Sequence, residues 1–302
     1  MGWSGGWGGE GEGEGAADWS RLSAKKMSLA TGARRRTRPP VRVDGDRGIT
    51  SREAIVLDQL HASVVIVGGG GVGVGCAYSY RMYGVEVTIV ELLPRLVPTE
   101  DEDISPILER SFERHGINIM TGAGVTEAQS GPDGVAVTVA KGGAEETLNC
   151  EKVLVAIGVR SNIEDLGLES MSIAIQDGSI QVDDVMRTNV ANVYAIGDVT
   201  GKLALAHVAS AQAATAVEHM AGLETQPLDY GSIPRATYCN PQIASFGLTE
   251  AQAKDQGHEV RIGTFNGQAN GKALAMGESE GIVKLVVDGK YGELLGAHMI
   301  GP

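Results

Sequence analysis

Residues 64–91 constrain the fold more tightly than any other stretch of the chain. Val64-Val65-Ile66-Val67 is apolar at every position, as a parallel strand buried on both faces must be. Gly68, Gly70 and Gly73 follow at once in G-x-G-x-x-G spacing, with Gly69 and Gly71 between them. A helix over Val72 to Tyr83 begins inside the motif, with Val72, Cys76 and Tyr80 sharing a face, and Gly84 ends it. A second apolar strand, Val85 to Val90, then delivers Glu91.

Each part has a mechanical reason. Gly68 makes the tight strand-to-helix turn, Gly70 lets a ligand's pyrophosphate approach the backbone, and Gly73 permits close helix–sheet packing. The pyrophosphate then meets the free N–H groups and positive dipole end of the helix. Glu91 lies near the roughly 20-residue spacing at which a carboxylate accepts hydrogen bonds from the adenine ribose hydroxyls. A 2′-phosphate there would meet like charge, so the unit predicts NAD(H) in preference to NADP(H). The competing reading is a glycine-rich turn in an ordinary α/β sheet, with Glu91 a solvated strand end. Gly6, Gly8 and Gly11 satisfy the same spacing with no strand before them and no helix after, so that match carries no meaning.

The 302 residues carry a net charge of −13 and are 42% apolar. This fits a globular protein and argues against a general nucleic-acid or anionic-membrane surface. Arg34-Arg35-Arg36 with Arg38, beside Pro39-Pro40, reads as a solvated loop rather than a binding patch. No run reaches the ~18 apolar residues of a membrane span, and no secretory pattern opens the chain. Cys76, Cys150 and Cys239 form no CxxC pair or metal motif, which suits a reducing cytoplasm.

The first nineteen residues hold all three tryptophans in a Gly/Glu repeat, and such a segment is expected to be disordered. A helix is expected over Ser51–Leu60. Another is expected after Thr99 as N-cap with Glu102 at capping-box spacing, its stripe being Ile104, Ile107, Leu108 and Phe112 and its stop Gly116. Strands are expected at Ile117–Met120, Val135/Val137/Val139, Val153–Ile157 and Val193–Ile196, then an Ala-rich helix from about Val208 to Ala221. Beyond Asp229 the pattern becomes α+β with a mostly antiparallel sheet. A short helix is opened there by Thr249 with Gln252, among strands near Ala244–Phe246, Val260–Phe265, Ile282–Val287 and Leu294–Met299. No closing helix follows the last of these before Gly301-Pro302.

The order of short segments resembles the FAD-dependent pyridine-nucleotide disulfide oxidoreductases, and among them the dihydrolipoyl dehydrogenases. The stretches are Leu29-Ala-Thr-Gly-Ala33, Val87-Thr-Ile-Val-Glu91, Val155-Ala-Ile-Gly158, Tyr194-Ala-Ile-Gly-Asp198 and Leu205-Ala-His-Val-Ala-Ser210. They continue with Ile233-Pro-Arg-Ala-Thr-Tyr-Cys239, Ala269-Asn-Gly-Lys-Ala-Leu274 and Leu295-Gly-Ala-His-Met-Ile-Gly-Pro302.

The resemblance implies an α/β protein: a Rossmann-like NAD domain inserted in a partial FAD domain, then an incomplete α+β dimerisation domain. The implied divisions are a tail at 1–22, the end of a first FAD-domain segment and linker at 23–60, and the NAD domain at 61–163. A second FAD-domain segment follows at 164–228 and part of the dimerisation domain at 229–302. Gly68 to Gly73 (Gly69, Gly70, Gly71 and Val72 included), Glu91, Val125 and Gly158 would contact NAD. Ala30, Thr31 and Gly32 would lie on the FAD adenylate side. Asp198 would hold the flavin's ribityl chain or pyrophosphate region, with Ala204, Leu205, Ala206 and His207 beside the isoalloxazine. From the residues alone, Asp198 reads equally well as a turn-forming acid and His207 as an ordinary helix N-terminal residue.

In that family electrons pass between NAD(H) and a dithiol/disulfide through FAD. The implied partners are a lipoamide-bearing protein and a second copy of the chain. The family's Cys-x4-Cys, the glycine fingerprint of the first FAD-binding segment and the C-terminal His–Glu couple have no counterpart in the sequence, so no catalytic residue or metal ligand is assigned. Gly75 stands where a Glu is usual near the nicotinamide; Ser161 replaces a common Pro and reads as neutral. The implied alternatives are a catalytically incomplete NAD-binding remnant, or another member such as a mercuric reductase or NADH oxidase.

Overall fold

The computed structural model describes residues 24–37, 40–56 and 59–302, so the expected N-terminal tail lies outside the described residues. Its contacts divide the chain into two units, Met1–Arg34 with Val159–Tyr230, and Arg35–Gly158 with Gly231–Pro302.

The second unit is built on an all-parallel sheet. Its strand order is Gly48–Thr50, Lys152–Val155, Ser63–Val67, Glu86–Glu91 and Ile117–Thr121. Alternate residues of its strands feed two cores. Val64, Ile66, Val87, Ile89 and Leu154 pack under the helices Gly71–Met82 and Ile104–Arg114. Val65, Val90, Val153 and Val155 pack under the antiparallel strands Gly124–Gly131, Gly134–Lys141 and Ala144–Cys150. Both faces are therefore covered, which is why Val64–Val67 is apolar throughout. Val135, Val137 and Val139 point inward as their alternation predicts.

The Gly71–Met82 helix buries Gly73, Val74, Ala77 and Tyr80; on the face that Tyr80 shares with Val72 and Cys76, Cys76 is half-buried against the same core and Val72 is exposed. Gly73 abuts the Gly68 carbonyl, and that contact fixes a rotation about one residue away from the Val72–Cys76 face. The helix expected from Thr99 begins at Ile104 with Asp103 as N-cap and no side-chain cap, because Asp101 in the preceding turn is drawn to Lys284. Its apolar stripe and its end at Gly116 (φ 77°) are as expected. Of the helix expected over Ser51–Leu60, the described residues form Ser51–Ile55, closed by the Val56 N–H bonding to the Glu53 carbonyl; 57–58 lie outside the described residues. Thr50 and Glu53 give it a capping box. Of the arginine cluster, Arg34 and Arg35 lie in the strand Ala33–Arg35 rather than in a loop, Arg34 to Arg36 are exposed as expected, and Arg38 lies outside the described residues; the Arg34 fork grips Glu164 at 2.7 and 2.8 Å.

Residues beyond Gly231 form a fully antiparallel sheet ordered Arg235–Thr237, Gln242–Gly247, Leu294–Gly301, Ile282–Asp288, Val260–Asn266. Helix Glu250–Asp255 carries the expected Thr249–Gln252 capping box. Ile243 and Ile300 of this sheet, with Cys239 from the turn before Gln242–Gly247, belong to the same core as the parallel sheet. Beside that core Lys284 Nζ lies 2.8 Å from Asp101, 2.6 Å from Asp103 and 2.8 Å from Glu250. Both the Lys284 and Asp101 side chains are almost fully buried.

In the first unit Met27–Leu29 pairs in parallel with Val193–Ala195. Helix Ala206–Met220 buries Val208, Gln212, Thr215 and Ala216. Leu29, Leu168, Ile173, Ile180, Val193, Ala195 and Val199 make the core. Among the described residues no helix is long and apolar enough to cross a membrane.

Burial would lower the Lys284 pKa, but the three carboxylates outweigh it and raise it above the usual lysine range. Burial would raise that of Asp101, but bonds from Lys284 and the Glu250 N–H hold it down. A depressed carboxylate stabilises the fold above its unfolded pKa and loses that contribution as pH falls through the folded value; a raised lysine loses its share only as pH rises through its own. The cluster is thus intact across neutral pH and fails first in acid. Lys284→Met is expected to cost about 3 kcal/mol, because removing one partner strands buried charge. Urea unfolding at pH 7 measures it, and the deficit should shrink as pH falls below the carboxylate range.

Candidate dinucleotide site

The turn after strand Ser63–Val67 is shaped by close backbone contacts. Gly68 sits at φ 110°, and a Cβ there would lie 2.5 Å from the Ala156 carbonyl oxygen. A Cβ at Gly73 would overlap the Gly68 carbonyl oxygen, so only glycine fits either position. Gly70 is the N-cap of the helix, has open space around it and offers no side-chain cap. The first intrahelical bond is Val74 N–H to Gly70 O. The N–H groups of Gly71, Val72 and Gly73 therefore precede the helical ladder and are available to an anion.

Glu91 is not a solvated strand end. It is only 8% exposed. One carboxylate oxygen accepts the Gly69 N–H at 2.5 Å and the other the Leu93 N–H at 2.7 Å. The two bonds lock the acid to the glycine turn across the sheet and leave each oxygen one lone-pair direction. Leu96 closes over Gly69, with Cδ2 2.5 Å from where a Cβ would stand. Leu92 and Leu93, just past the acid, are exposed apolar side chains. Such residues suit the flat face of a base.

The structure brings Gly68 to Gly73 and Glu91 together. Val125 is half-buried at the start of strand Gly124–Gly131, which follows the Ala123 N–H bond to the Glu91 carbonyl. Gly158, exposed at φ 96°, ends the run after Lys152–Val155 and accepts the Arg36 N–H.

Two neighbours come from far along the chain and have no local signal. The Thr237 hydroxyl lies 3.2 Å from where a Gly71 Cβ would be, and the Tyr238 carbonyl 3.1 Å from where a Gly75 Cβ would be. A side chain at position 75 would therefore start with its Cβ in close contact with that carbonyl oxygen.

The remaining expected residues belong to the first unit. Thr31 and Asn162 tie to each other. The Thr31 hydroxyl donates to the Asn162 carbonyl at 2.7 Å, and the Asn162 amide donates to the Thr31 carbonyl at 2.8 Å. Gly32 turns at φ 69°, and Ala30 is exposed. Asp198 lies half-buried in the short turn Gly197–Thr200. Ala204 and Leu205 lead into the uncapped start of helix Ala206–Met220, where Ala206 and His207 are exposed. Ser161 is buried and its hydroxyl bonds Ser179 and the Asp198 carbonyl.

The cysteines offer no nucleophile. All three are free, and burial raises their thiols, to about 11 for Cys150 and about 12 for Cys239. Raised thiols stay protonated and unreactive at neutral pH.

Comparison with known proteins shows what the whole chain resembles. Residues 10–213 match the pyridine nucleotide-disulphide oxidoreductase profile, and residues 233–302 its dimerisation domain. The chain is 47% identical over 283 residues to dihydrolipoyl dehydrogenase of Mycobacterium leprae, spanning 93% of this chain and 60% of that relative. It is 44% identical to the Bacillus subtilis enzyme of the same name, with 93% and 60% covered. Among solved structures, LpdA of Mycobacterium tuberculosis superposes with a TM-score of 0.87 at 30% identity, covering 95% of this chain and 62% of that one. The flavoprotein disulfide reductase RclA of Escherichia coli gives 0.85 at 25%, covering 95% and 65%. The chain spans about 60% of the length of the curated relatives it matches. A glycine turn of this geometry inside a fold matched over most of the chain leads to one conclusion: the protein belongs to the pyridine nucleotide-disulphide oxidoreductase family, whose dihydrolipoyl dehydrogenases use FAD and NAD(H).

Proposed function

We propose that the chain binds NAD(H) at the Gly68–Gly73 turn. In this reading it serves a dihydrolipoyl dehydrogenase-type flavoprotein that passes electrons between NAD(H) and a dithiol/disulfide through FAD. One observation carries the dinucleotide assignment: a buried carboxylate, Glu91, bonded to the glycine turn at whose end the free helix N–H groups lie. The turn suits a pyrophosphate, since Gly70 has open space and the free helix N–H groups follow it. Glu91 would take the adenine ribose hydroxyls on its remaining lone pairs, and Leu92, Val125 and Gly158 would flank the base. FAD, when bound, supplies the two-electron relay between nicotinamide and disulfide.

On the flavin side Ala30, Thr31, Gly32, Asp198 and Ala204 to His207 are the assigned contacts. The Asp198 carboxylate makes no hydrogen bond or ion pair among the described residues, and the start of helix Ala206–Met220 has no side-chain cap. A carboxylate accepts and cannot donate, so its fit is to ribityl hydroxyls; a pyrophosphate would meet like charge. A second copy of the chain would meet the region matched to the dimerisation domain. A lipoamide-bearing protein is the substrate partner and a cytoplasm the setting we assign.

A second reading is favoured by specific residues. No two cysteines stand at the family's Cys-x4-Cys spacing, and Gly75 carries no carboxylate. These residues favour dinucleotide binding without dithiol turnover by this polypeptide's own thiols.

A titration of purified chain with NADH, followed by fluorescence, and an absorption spectrum after adding FAD test the readings together. NADH binding is expected. A chain that binds no NADH overturns the assignment, and flavin that is taken up, bleaches with NADH and is reoxidised by added lipoamide overturns the binding-only reading. Glu91→Gln keeps the shape and removes the charge. It should raise NADPH affinity relative to NADH by about tenfold, corresponding to roughly 1.4 kcal/mol of lost repulsion; an unchanged preference contradicts the role of Glu91.

The glycines separate fold from binding. Gly73→Ala should destabilise the protein by about 3 kcal/mol, because its Cβ meets backbone rather than a yielding side chain. Gly70→Ala has open space and should stay within about 0.5 kcal/mol, yet weaken NADH binding by at least tenfold. Urea melts and NADH titrations of the two variants measure both effects.

A further inference from the structure

The turn Gly197–Thr200 is held from several sides. The Thr200 hydroxyl donates to the Gly197 carbonyl at 2.8 Å. The Ser161 hydroxyl and the Gly201 N–H each donate to the Asp198 carbonyl at 3.1 Å. The Gly197 N–H donates to Gln212 Oε1 at 2.6 Å. Gln212 comes from the second turn of helix Ala206–Met220 and is wholly buried. Its other end is fixed as well: Nε2 donates to the Tyr230 hydroxyl at 2.9 Å, and that hydroxyl donates to Met186 Sδ at 3.8 Å. The amide thus has one orientation, acceptor toward the turn and donor toward Tyr230.

Gly197 lies at φ 74° and has no side chain to restrict it. Glycine visits several backbone basins at little cost, so a directed hydrogen bond is needed to select one. With the backbone of the turn engaged in this way, the Asp198 carboxylate is left as its unpartnered acceptor among the described residues. Its position follows from the turn beneath it, and Gln212 grips that turn at the preceding residue.

We propose that Gln212 is a positioning residue for the flavin site: it holds the Gly197 N–H so that the Asp198 carboxylate is presented to the ribityl hydroxyls of FAD. The inference rests on the flavin reading above and adds a residue that touches the turn and not the cofactor. A neutral amide suits the task because a second buried carboxylate beside Asp198 would repel it.

The test is a double-mutant cycle on the full chain, with FAD affinity read by flavin fluorescence and Gly197 amide exchange read by NMR. Gln212→Leu should weaken FAD binding at least tenfold and accelerate Gly197 exchange by a similar factor. Asp198→Asn should also weaken binding while leaving Gly197 exchange unchanged. The double variant should bind no worse than the weaker single one, because Gln212 acts through Asp198; a merely structural contribution would be additive. Additive losses, or a Gln212→Leu chain with wild-type FAD affinity, overturn the proposal and leave the flavin reading standing. Wild-type chain that takes up no FAD overturns the flavin reading and this inference with it. If Gln212→Leu does not fold, Gln212→Asn decides. It keeps a neutral amide but is one methylene too short to reach both Gly197 and Tyr230, so FAD affinity should fall at least tenfold with faster Gly197 exchange, and wild-type FAD affinity overturns the proposal.

Discussion

The contact between Gly73 and the Gly68 carbonyl determines more of this molecule than its size suggests. Because nothing larger than hydrogen separates them, helix Gly71–Met82 lies against the end of strand Ser63–Val67. It is rotated so that Val74, Ala77 and Tyr80 face the core. The same approach puts the uncapped helix start beside the carboxyl end of the sheet, where open α/β sheets bind ligands. Gly69 can then turn its N–H to Glu91, which reaches across from the neighbouring strand. A larger residue at 73 would push the helix outward and disturb all of these at once.

The second constraint is the charge cluster at Lys284. Buried ion pairs are weak evidence for stability, since desolvation offsets much of the attraction. What this one contributes is specificity of assembly. Three carboxylates from two remote stretches converge on one ammonium, and the excess negative charge is eased because Asp103 is 55% exposed and Glu250 also bonds Lys254 at 2.5 Å. Alongside the shared apolar core, this sets the antiparallel sheet against the parallel one in a single register. The carbonyl of Tyr238 and the hydroxyl of Thr237 consequently come to rest on the first turns of the glycine helix.

Local signals translated well into structure. Gly84 and Gly116 do end their helices with positive φ, Thr249 and Gln252 do form a capping box, and alternation in Val135–Val139 does mark a half-buried strand. The departures have different causes. The Thr99–Glu102 spacing opens no helix because Asp101 is claimed by a lysine 183 positions away. On the Val72–Cys76–Tyr80 face burial is graded, from exposed Val72 to buried Tyr80, because the Gly73–Gly68 backbone contact, which periodicity cannot register, sets the helix rotation. Strands Gly124–Gly131 and Ala144–Cys150 escaped notice because their exposed residues show no apolar alternation. Among candidate site residues, the glycines and Glu91 were legible because one short segment contains them. Thr237, Tyr238 and Gln212 were not, because their relevance exists only after folding.

Both proposed cofactor regions use one device, a buried side-chain oxygen that accepts the N–H of a glycine-bearing turn just past a parallel strand. At the dinucleotide turn the acceptor is the charged Glu91, bonded to Gly69; at the flavin-side turn it is the neutral Gln212, bonded to Gly197. The difference in charge follows from what else stands nearby. Glu91 serves as anchor and ligand group together, so its charge is compensated by two N–H donors and is available to exclude a 2′-phosphate. Beside Gly197 the charge already resides on Asp198, and an ionised anchor would raise the cost of keeping that carboxylate unpaired. Separating anchor from ligand group is therefore the arrangement that electrostatics favours at the second turn, and combining them is the one it permits at the first.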